Sequence, residues 1–463
     1  MSEADYDAVA QRQQAVAAEQ LKGGLDRLDW SRDQLGAYRE SRLREILQHA
    51  SQQSAWHRER LRGIDLGAVT EANLGQLPTM TKSDLMSHWD AIATNGVPTL
   101  ERCEEHLDSL STPSYLDDRF HVVASGGSSG KRGVFVYDWE GWARYYSIYA
   151  RWMLRRVRRG TMPVPSGLTT GVVAAYALTH PTVAMSRTFT LNTGDTYAFP
   201  VTLPLEDIVA GLNDLQPDVL VGYASVVGSL AHEAEAGRLS ISPGFIMTTS
   251  EPMLTEMADS IERAFGTRPV NIYGTADAGI VGMGCGEGVG MHLTDDELII
   301  EPVDANGRPV LPGDRAAKLF VTVLFQRALP LIRYELTDEV ELIDEPCPCG
   351  SNFRRIRDIQ GRLDDTFFYA ADIVVHPHVF RSHLSRAREI SEYQVNQTPE
   401  GAHIRVVTER ASELGALAGS IEADLRGLGV SEPVVHIERV GEIARQGVGK
   451  LKRFVPLPAA GAH

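Results

Sequence analysis

Residues Val122-Val123-Ala124-Ser125-Gly126-Gly127-Ser128-Ser129-Gly130-Lys131-Arg132-Gly133 run directly into Val134-Phe135-Val136-Tyr137. Glycines allow a backbone to approach a polyphosphate closely, amides and hydroxyls donate to its oxygens, and the terminal cations neutralise it. The run is not a Walker loop. Ser125 stands where the first glycine of that pattern belongs, and Arg132 replaces the magnesium-binding Ser/Thr. Apolar, β-branched segments flank it on both sides and no helical pattern follows Lys131, so the loop is expected to join two strands. Taken alone, it also has the composition of an ordinary Gly/Ser hairpin loop.

Further segments supply chemistry the loop lacks. Ile272-Tyr273-Gly274-Thr275-Ala276-Asp277 ends a strand-like run, where α/β sheets present ligand-binding loops. Its aromatic ring, hydroxyl and carboxylate suit a base, a phosphate and Mg²⁺. Asp338, in Leu336-Thr337-Asp338, is an acid able to accept from both ribose hydroxyls. Gln360-Gly361-Arg362-Leu363-Asp364-Asp365 stands at a change of texture, and Gly447-Val448-Gly449-Lys450 places a lysine in a glycine setting. Each also has an ordinary reading, as strand-end turn, cap, solvated linker or surface cation. Cys285, His292, Cys347 and Cys349 form a Cys₃His set suited to tetrahedral Zn²⁺ in a structural role, since no ligand position stays open. The alternative is buried thiols beside a satisfied histidine.

The elements that must position these residues are legible in outline. Leu43, Ile46, Leu47 and Ala50 mark an amphipathic helix over 35–52, whereas the first 28 residues predict only a loosely attached helix. From Phe120 to about Val340, strand-like runs (Asp218–Gly222, Phe245–Met247, Val270–Tyr273, Leu298–Glu301, Leu319–Leu324) alternate with helical ones such as Leu254–Phe265. This is the pattern of a large mixed α/β core. Beyond Asp364, strand-like 403–408, a helical face of Leu414, Leu417, Ile421 and Leu425, and strand-like 433–440 predict a small α+β domain. The expected division is 1–363 and 364–463.

At 463 residues with 43% apolar and 23% charged residues, a folded, multidomain chain is expected. A net charge of −16 argues against nucleic acid or an anionic membrane as partner. No apolar run approaches the roughly 20 residues of a membrane span, and the polar start is unlike a signal peptide. Cytoplasmic location is the expectation, with the four cysteines as thiols or metal ligands.

Taken in order, these segments resemble the adenylate-forming superfamily of acyl-CoA synthetases, peptide-synthetase adenylation domains and luciferases. The phenylacetate-CoA ligase branch is the most similar. Leu77-Pro78-Thr79-Met80-Thr81-Lys82-Ser83-Asp84-Leu85 is similar to that branch's Leu-Pro-x-x-Thr-Lys-x-Asp-Leu segment. The resemblance implies a large mixed-sheet adenylation domain and a small domain that rotates about a hinge at Asp364. It implies that Ser125, Gly126, Gly127, Ser128, Ser129, Gly130 and Lys131 hold the ATP β- and γ-phosphates, and that Gly274 and Thr275 belong to the same nucleotide site. Tyr273 would lie against adenine, beside a purine wall of Ser250, Glu251 and Pro252, with Asp338 and Arg362 on the ribose. Asp277 takes the place of the Mg²⁺-associated glutamate, and Lys450 that of the lysine bridging carboxylate and α-phosphate. Some relatives in the branch carry a comparable Cys/His cluster, which supports structural Zn²⁺. Tyr223, in Gly222-Tyr223-Ala224-Ser225, falls where the superfamily places the acyl pocket; a packed core tyrosine is the other reading.

The implied reaction joins a small carboxylic acid to AMP, releasing pyrophosphate, and passes the acyl group to an acceptor, with CoA leading. Two departures bear on it. The usual Tyr-Gly-x-Thr-Glu becomes Tyr273-Gly274-Thr275-Ala276-Asp277, moving the hydroxyl one place and shortening the acid. The branch's Gly-x-Asn-x-x-Pro becomes Ala371-Asp372-Ile373-Val374-Val375-His376-Pro377, losing the glycine and asparagine that line the acceptor tunnel. An amide ligase or carrier-protein loader, using an amine or a carrier thiol, therefore stands beside a CoA ligase. From another class stands a non-catalytic nucleotide-binding regulator. A homodimer is one possible assembly.

Overall fold

A computed structural model of the chain describes residues 3–125, 133–162, 167–174, 178–179, 181–189, 194–201, 203–362, 365, 367–370, 373–375, 377–384, 387, 390–408, 414–444 and 451–457. Gly126 to Lys131, Asp364 and Lys450 therefore lie outside the described residues, as do Ala371, Asp372 and His376.

Runs of Val, Ile and Tyr form the strands of a 10-stranded sheet. Five of these (Thr196–Pro200, Thr170–Ala174, Val219–Tyr223, Phe245–Thr249 and Val270–Thr275) pair in parallel in that spatial order. On its other edge Val270–Thr275 pairs antiparallel with Gly279–Met283. The sheet then continues antiparallel through Met291–Leu293, Arg355–Arg362, Asp338–Ile343 and Arg315–Ala316. Val270–Thr275 is thus the seam between a parallel and an antiparallel half. Parallel strands require crossovers, and helices such as Ala224–Glu235 and Thr255–Phe265 supply them. His121–Ala124 and Val134–Tyr137 pair antiparallel, so the Gly/Ser loop joins two strands, as its flanks predict.

A separate sheet near the C-terminus orders Val434–Arg439, Gly401–Thr408, Ile390–Thr398 and Phe454–Val455. It has its own apolar cluster, including Phe367, Phe380, Val395, Ile404, Ile421 and Phe454. The predicted amphipathic helix spans Arg32–Gln53 and buries Leu43, Ile46, Leu47 and Ala50.

The expectation of a loosely attached N-terminal helix is overturned. Glu3–Arg27 is one helix, with Tyr6, Val9, Ala10, Ala17 and Leu25 buried, and Gln13 donates to the Trp139 carbonyl at 3.2 Å. Its last residue anchors it: Arg27 Nε donates to Asp296 Oδ2 and Arg27 Nη2 to Glu297 Oε1, each at 2.6 Å. Small and polar buried positions leave no continuous apolar stripe for sequence patterning to detect.

Asp296 is fully buried and is also gripped by Arg151, whose Nη2 lies 2.7 Å from Asp296 Oδ1. Burial opposes its ionisation, yet Arg151 and then Arg27 bring its pKa down to about 2. A depressed carboxylate contributes stability that is present above the unfolded value near 4 and lost as pH falls through the folded value. Asp296→Asn is expected to cost about 3–5 kcal/mol at pH 7, because it leaves buried guanidinium groups uncompensated. In urea melts the gap from wild type should stay constant between pH 7 and 5 and narrow below about pH 4.

Candidate active site

At the C-terminal end of the seam strand the chain turns at Ala276–Ala278 and re-enters the sheet at Gly279. Gly279 has φ +80°, and a Cβ there would meet Phe325 at 3.2 Å, so the turn requires glycine. The Ala278 amide donates to Thr275 Oγ1 at 3.0 Å and to Asp277 Oδ1 at 2.9 Å. Buried phenols fix the turn from behind. Tyr137 donates to the Ala276 and Asp277 carbonyls at 2.8 and 3.0 Å, and Tyr145 to the Thr275 carbonyl at 2.9 Å. The Tyr334 hydroxyl bonds the Asp277 side chain, and burial followed by the charge of Asp277 holds its pKa above the ordinary phenol range. Burial does the same for Tyr137 and Tyr145, so all three remain donors at neutral pH.

Tyr273 and Asp338, 65 residues apart, meet directly: the phenol donates to Asp338 Oδ2 at 2.8 Å, and both residues are buried. Asp338 and Arg362 are Cα partners in neighbouring strands. The structure therefore brings Tyr273, Asp338 and the Arg362 backbone position together. Ser250 follows strand Phe245–Thr249 with φ +68°, a conformation costly for a residue with a Cβ. The next residue, Glu251, is buried and accepts the Ser225 amide at 2.8 Å. Tyr223 is only 1% exposed and belongs to the apolar cluster between sheet and helices, so it packs as a core residue.

Lys82 is a residue to which the sequence assigned no role. Its Nζ donates to Ser125 Oγ at 3.2 Å, and the same oxygen accepts the Gly133 amide at 3.0 Å. Lys82 opens helix Lys82–Ser87, set by a capping box between Thr81 and Asp84. The preceding segment is pinned to the strand bearing Tyr334, since Met80 N donates to the Arg333 carbonyl at 3.1 Å and Glu335 N to the Met80 carbonyl at 2.9 Å. A cation at the base of the glycine loop is thereby tied to the element whose phenol holds Asp277. The Thr-Lys-x-Asp pattern was the available signal.

Cys285, His292, Cys347 and Cys349 converge, with ligand atoms within 4.8 Å of one another and every residue buried. Cys285 Sγ lies 3.5 Å from Cys347 Sγ, and Cys349 Sγ 3.3 Å from His292 Nε2. Tetrahedral zinc with bonds of about 2.3 Å to sulfur needs ligand separations of about 3.8 Å, which this set approaches. His292 Nδ1 faces the Phe353 carbonyl at 3.1 Å and Trp152 stacks on the ring, so Nε2 is the nitrogen directed at the cluster. The donor set fits a closed metal site that would staple the strands behind Asp277 and Arg362.

No family model matches the sequence. The chain is 25% identical over 385 residues to a phenylacetate-coenzyme A ligase of Thermus thermophilus, with 80% of each chain covered. It is 27% identical over 412 residues to one of Escherichia coli, covering 84% of this chain and 83% of that protein. Among solved structures, a 2-hydroxyisobutyryl-CoA ligase in its postadenylation state, 20% identical, superposes with a TM-score of 0.69 over 90% of this chain and 88% of the other. Over most of its length, then, the chain is similar in sequence to phenylacetate-coenzyme A ligases and shares the fold of an acyl-CoA ligase.

Tyr273→Phe removes a donor from a buried carboxylate while keeping the ring. It is expected to lower stability by about 1–3 kcal/mol in urea denaturation, with the sheet's circular dichroism unchanged.

Proposed function

We propose that the chain activates a small carboxylic acid with Mg-ATP and transfers the acyl group to the thiol of CoA. The observation that carries this reading is the convergence, at the end of the seam strand, of the Asp277 turn, the Tyr273–Asp338 pair and the Lys82-braced hairpin. A carboxylate is a poor nucleophile toward an anionic phosphate, so the site must neutralise charge before a bond can form. We assign the loop from Ser125 to Lys131, with Lys82 at its base, to the β- and γ-phosphates. Thr275 uses its oxygen to accept from Ala278, which leaves its hydroxyl hydrogen to donate to phosphate. Tyr273 would face adenine, and Asp338 with Arg362 would hold the ribose. Asp277 is an oxygen ligand suited to Mg²⁺, which when bound would neutralise phosphate charge.

Lys450 would bridge the substrate carboxylate and the α-phosphate. A carboxylate oxygen bonds to the α-phosphorus, the α,β-bridging bond breaks, and pyrophosphate leaves. The acceptor thiolate then attacks the acyl carbon and AMP departs. We place the large domain at 1–363 and the small one at 364–463, with Asp364 as hinge. Asp372 and Val374, standing where the branch has glycine and asparagine, favour an amine or carrier thiol as the second reading for the acceptor. Four buried cysteines in no disulfide are compatible with a cytoplasmic enzyme.

Mass spectrometry of reactions with ATP, Mg²⁺, mixed aryl and aliphatic acids, and either CoA or simple amines tests this reading. Acid-dependent AMP and an acyl product are expected, whereas ATP binding without turnover would favour a regulator. Lys450→Ala should abolish acid-dependent pyrophosphate release while ATP still binds, and near wild-type release would refute the assignment. We also assign structural Zn²⁺ to the Cys₃His cluster. Purified protein should contain about one zinc per chain, and Cys349→Ser should lose it and melt at lower temperature. A chain with less than about half an equivalent after gentle purification would rule the metal out.

A further inference from the structure

Glu251 was expected in a purine wall, but its carboxylate is committed elsewhere. Oε2 accepts the Ser225 amide at 2.8 Å, and Oε1 accepts the amide of Leu451, 200 residues away, at 3.2 Å. Ser225 is the second residue of helix Ala224–Glu235, whose N-cap, Tyr223, contributes no side-chain capping bond. Glu251 therefore supplies that cap from the bend after strand Phe245–Thr249, and its carboxylate lies at the positive end of the helix dipole. The Leu451 amide is the N–H of the peptide bond that follows Lys450. One turn along the same helix, Ser229 Oγ donates to Glu392 Oε1, on strand Ile390–Thr398 of the C-terminal sheet, at 3.2 Å.

We propose that Glu251 is a positioning residue that docks the main chain beside Lys450 and so sets the small domain in its adenylating orientation. The inference rests on the acyl-adenylate reading above. A carboxylate offers acceptors on both oxygens. One stays on the helix amide, and the other receives the C-terminal chain in this orientation and returns to water when the small domain turns away. Glutamine cannot reproduce this, because one of its ends is a donor and would face an N–H. The contact is made to main chain and so requires no particular side chain of the C-terminal segment, and Ser229–Glu392 adds a second point on the same helix, opposing rotation about the first. Loss of Glu251 should therefore slow the first half-reaction and spare the second, which proceeds in a different orientation.

The test compares Glu251→Gln with wild type in both half-reactions and in a conformational measurement. Phenylacetate-dependent ATP/pyrophosphate exchange should fall roughly tenfold in kcat, with KM for ATP within about twofold. Conversion of supplied phenylacetyl-adenylate and CoA to thioester should stay within about twofold. The native cysteines are buried, so spin labels at Glu256→Cys and Ala423→Cys, both exposed, report the domain separation. With ATP and Mg²⁺ bound, wild type should give one dominant distance and Glu251→Gln a broadened set. Leu451→Pro deletes the amide and leaves the helix cap intact; it should reproduce both effects should Glu251→Gln fold poorly. Equal loss in both half-reactions, or an unchanged distance distribution in both variants, would overturn the proposal. If wild type neither exchanges pyrophosphate nor consumes phenylacetyl-adenylate, the acyl-activation reading fails with this acid, and the distance measurement alone decides the Glu251 contact.

Discussion

Strand Val270–Thr275 has a parallel neighbour on one edge and an antiparallel one on the other. The two edges demand different connections: a helical crossover leads in, while a tight turn at Asp277 leads out. The crossover helix on the parallel side and the turn on the antiparallel side therefore both leave the sheet at this strand's C-terminal end, where α/β sheets present ligand-binding loops. Tyr273 lies on the seam, Asp277 at its tip, and Asp338 reaches it from the far half of the sheet.

Holding a carboxylate and a sharp turn at the end of a strand has a cost, which buried donors offset. Tyr137, Tyr145 and Tyr334 come from three separate elements and direct hydroxyls at the turn. Their burial keeps them protonated, so the turn is held by neutral donors that add no charge beside Asp277. Farther away, the Asp296 and Glu297 carboxylates bind Arg27, Arg144 and Arg151, locking the N-terminal helix to the helix Trp139–Arg158. That helix also carries Tyr145, so the ion cluster and the site share one rigid element.

Much of this was legible because it is local. The β-branched flanks of the glycine loop specify a hairpin, and Leu43, Ile46, Leu47 and Ala50 specify a helix face, since each pattern follows from backbone periodicity alone. The Cys/His set could be proposed from donor chemistry before any geometry was known. The attachment of the N-terminal helix was not legible, because Arg27 finds its partners 269 and 270 residues away. Nor was the involvement of Lys82, whose contact with Ser125 depends on how the segment around Met80 joins the strand bearing Tyr334.

By itself, the sequence determined the kinds of group available and their order: a phosphate-suited loop, an aromatic and acid at a strand end, a second acid, and a lysine near the C-terminus. It also determined the mixed α/β class, because alternating strand and helix periods are written in neighbouring residues. Only the tertiary structure decided which groups meet. Tyr273 with Asp338, Asp277 with Tyr334, and Glu251 between Ser225 and Leu451 are contacts across strands and sheets, set by register and packing rather than by spacing along the chain. Glu251 shows the difference most plainly. The family resemblance implied a wall for a base, whereas the residue's neighbours in space make it an acceptor for two amides at once.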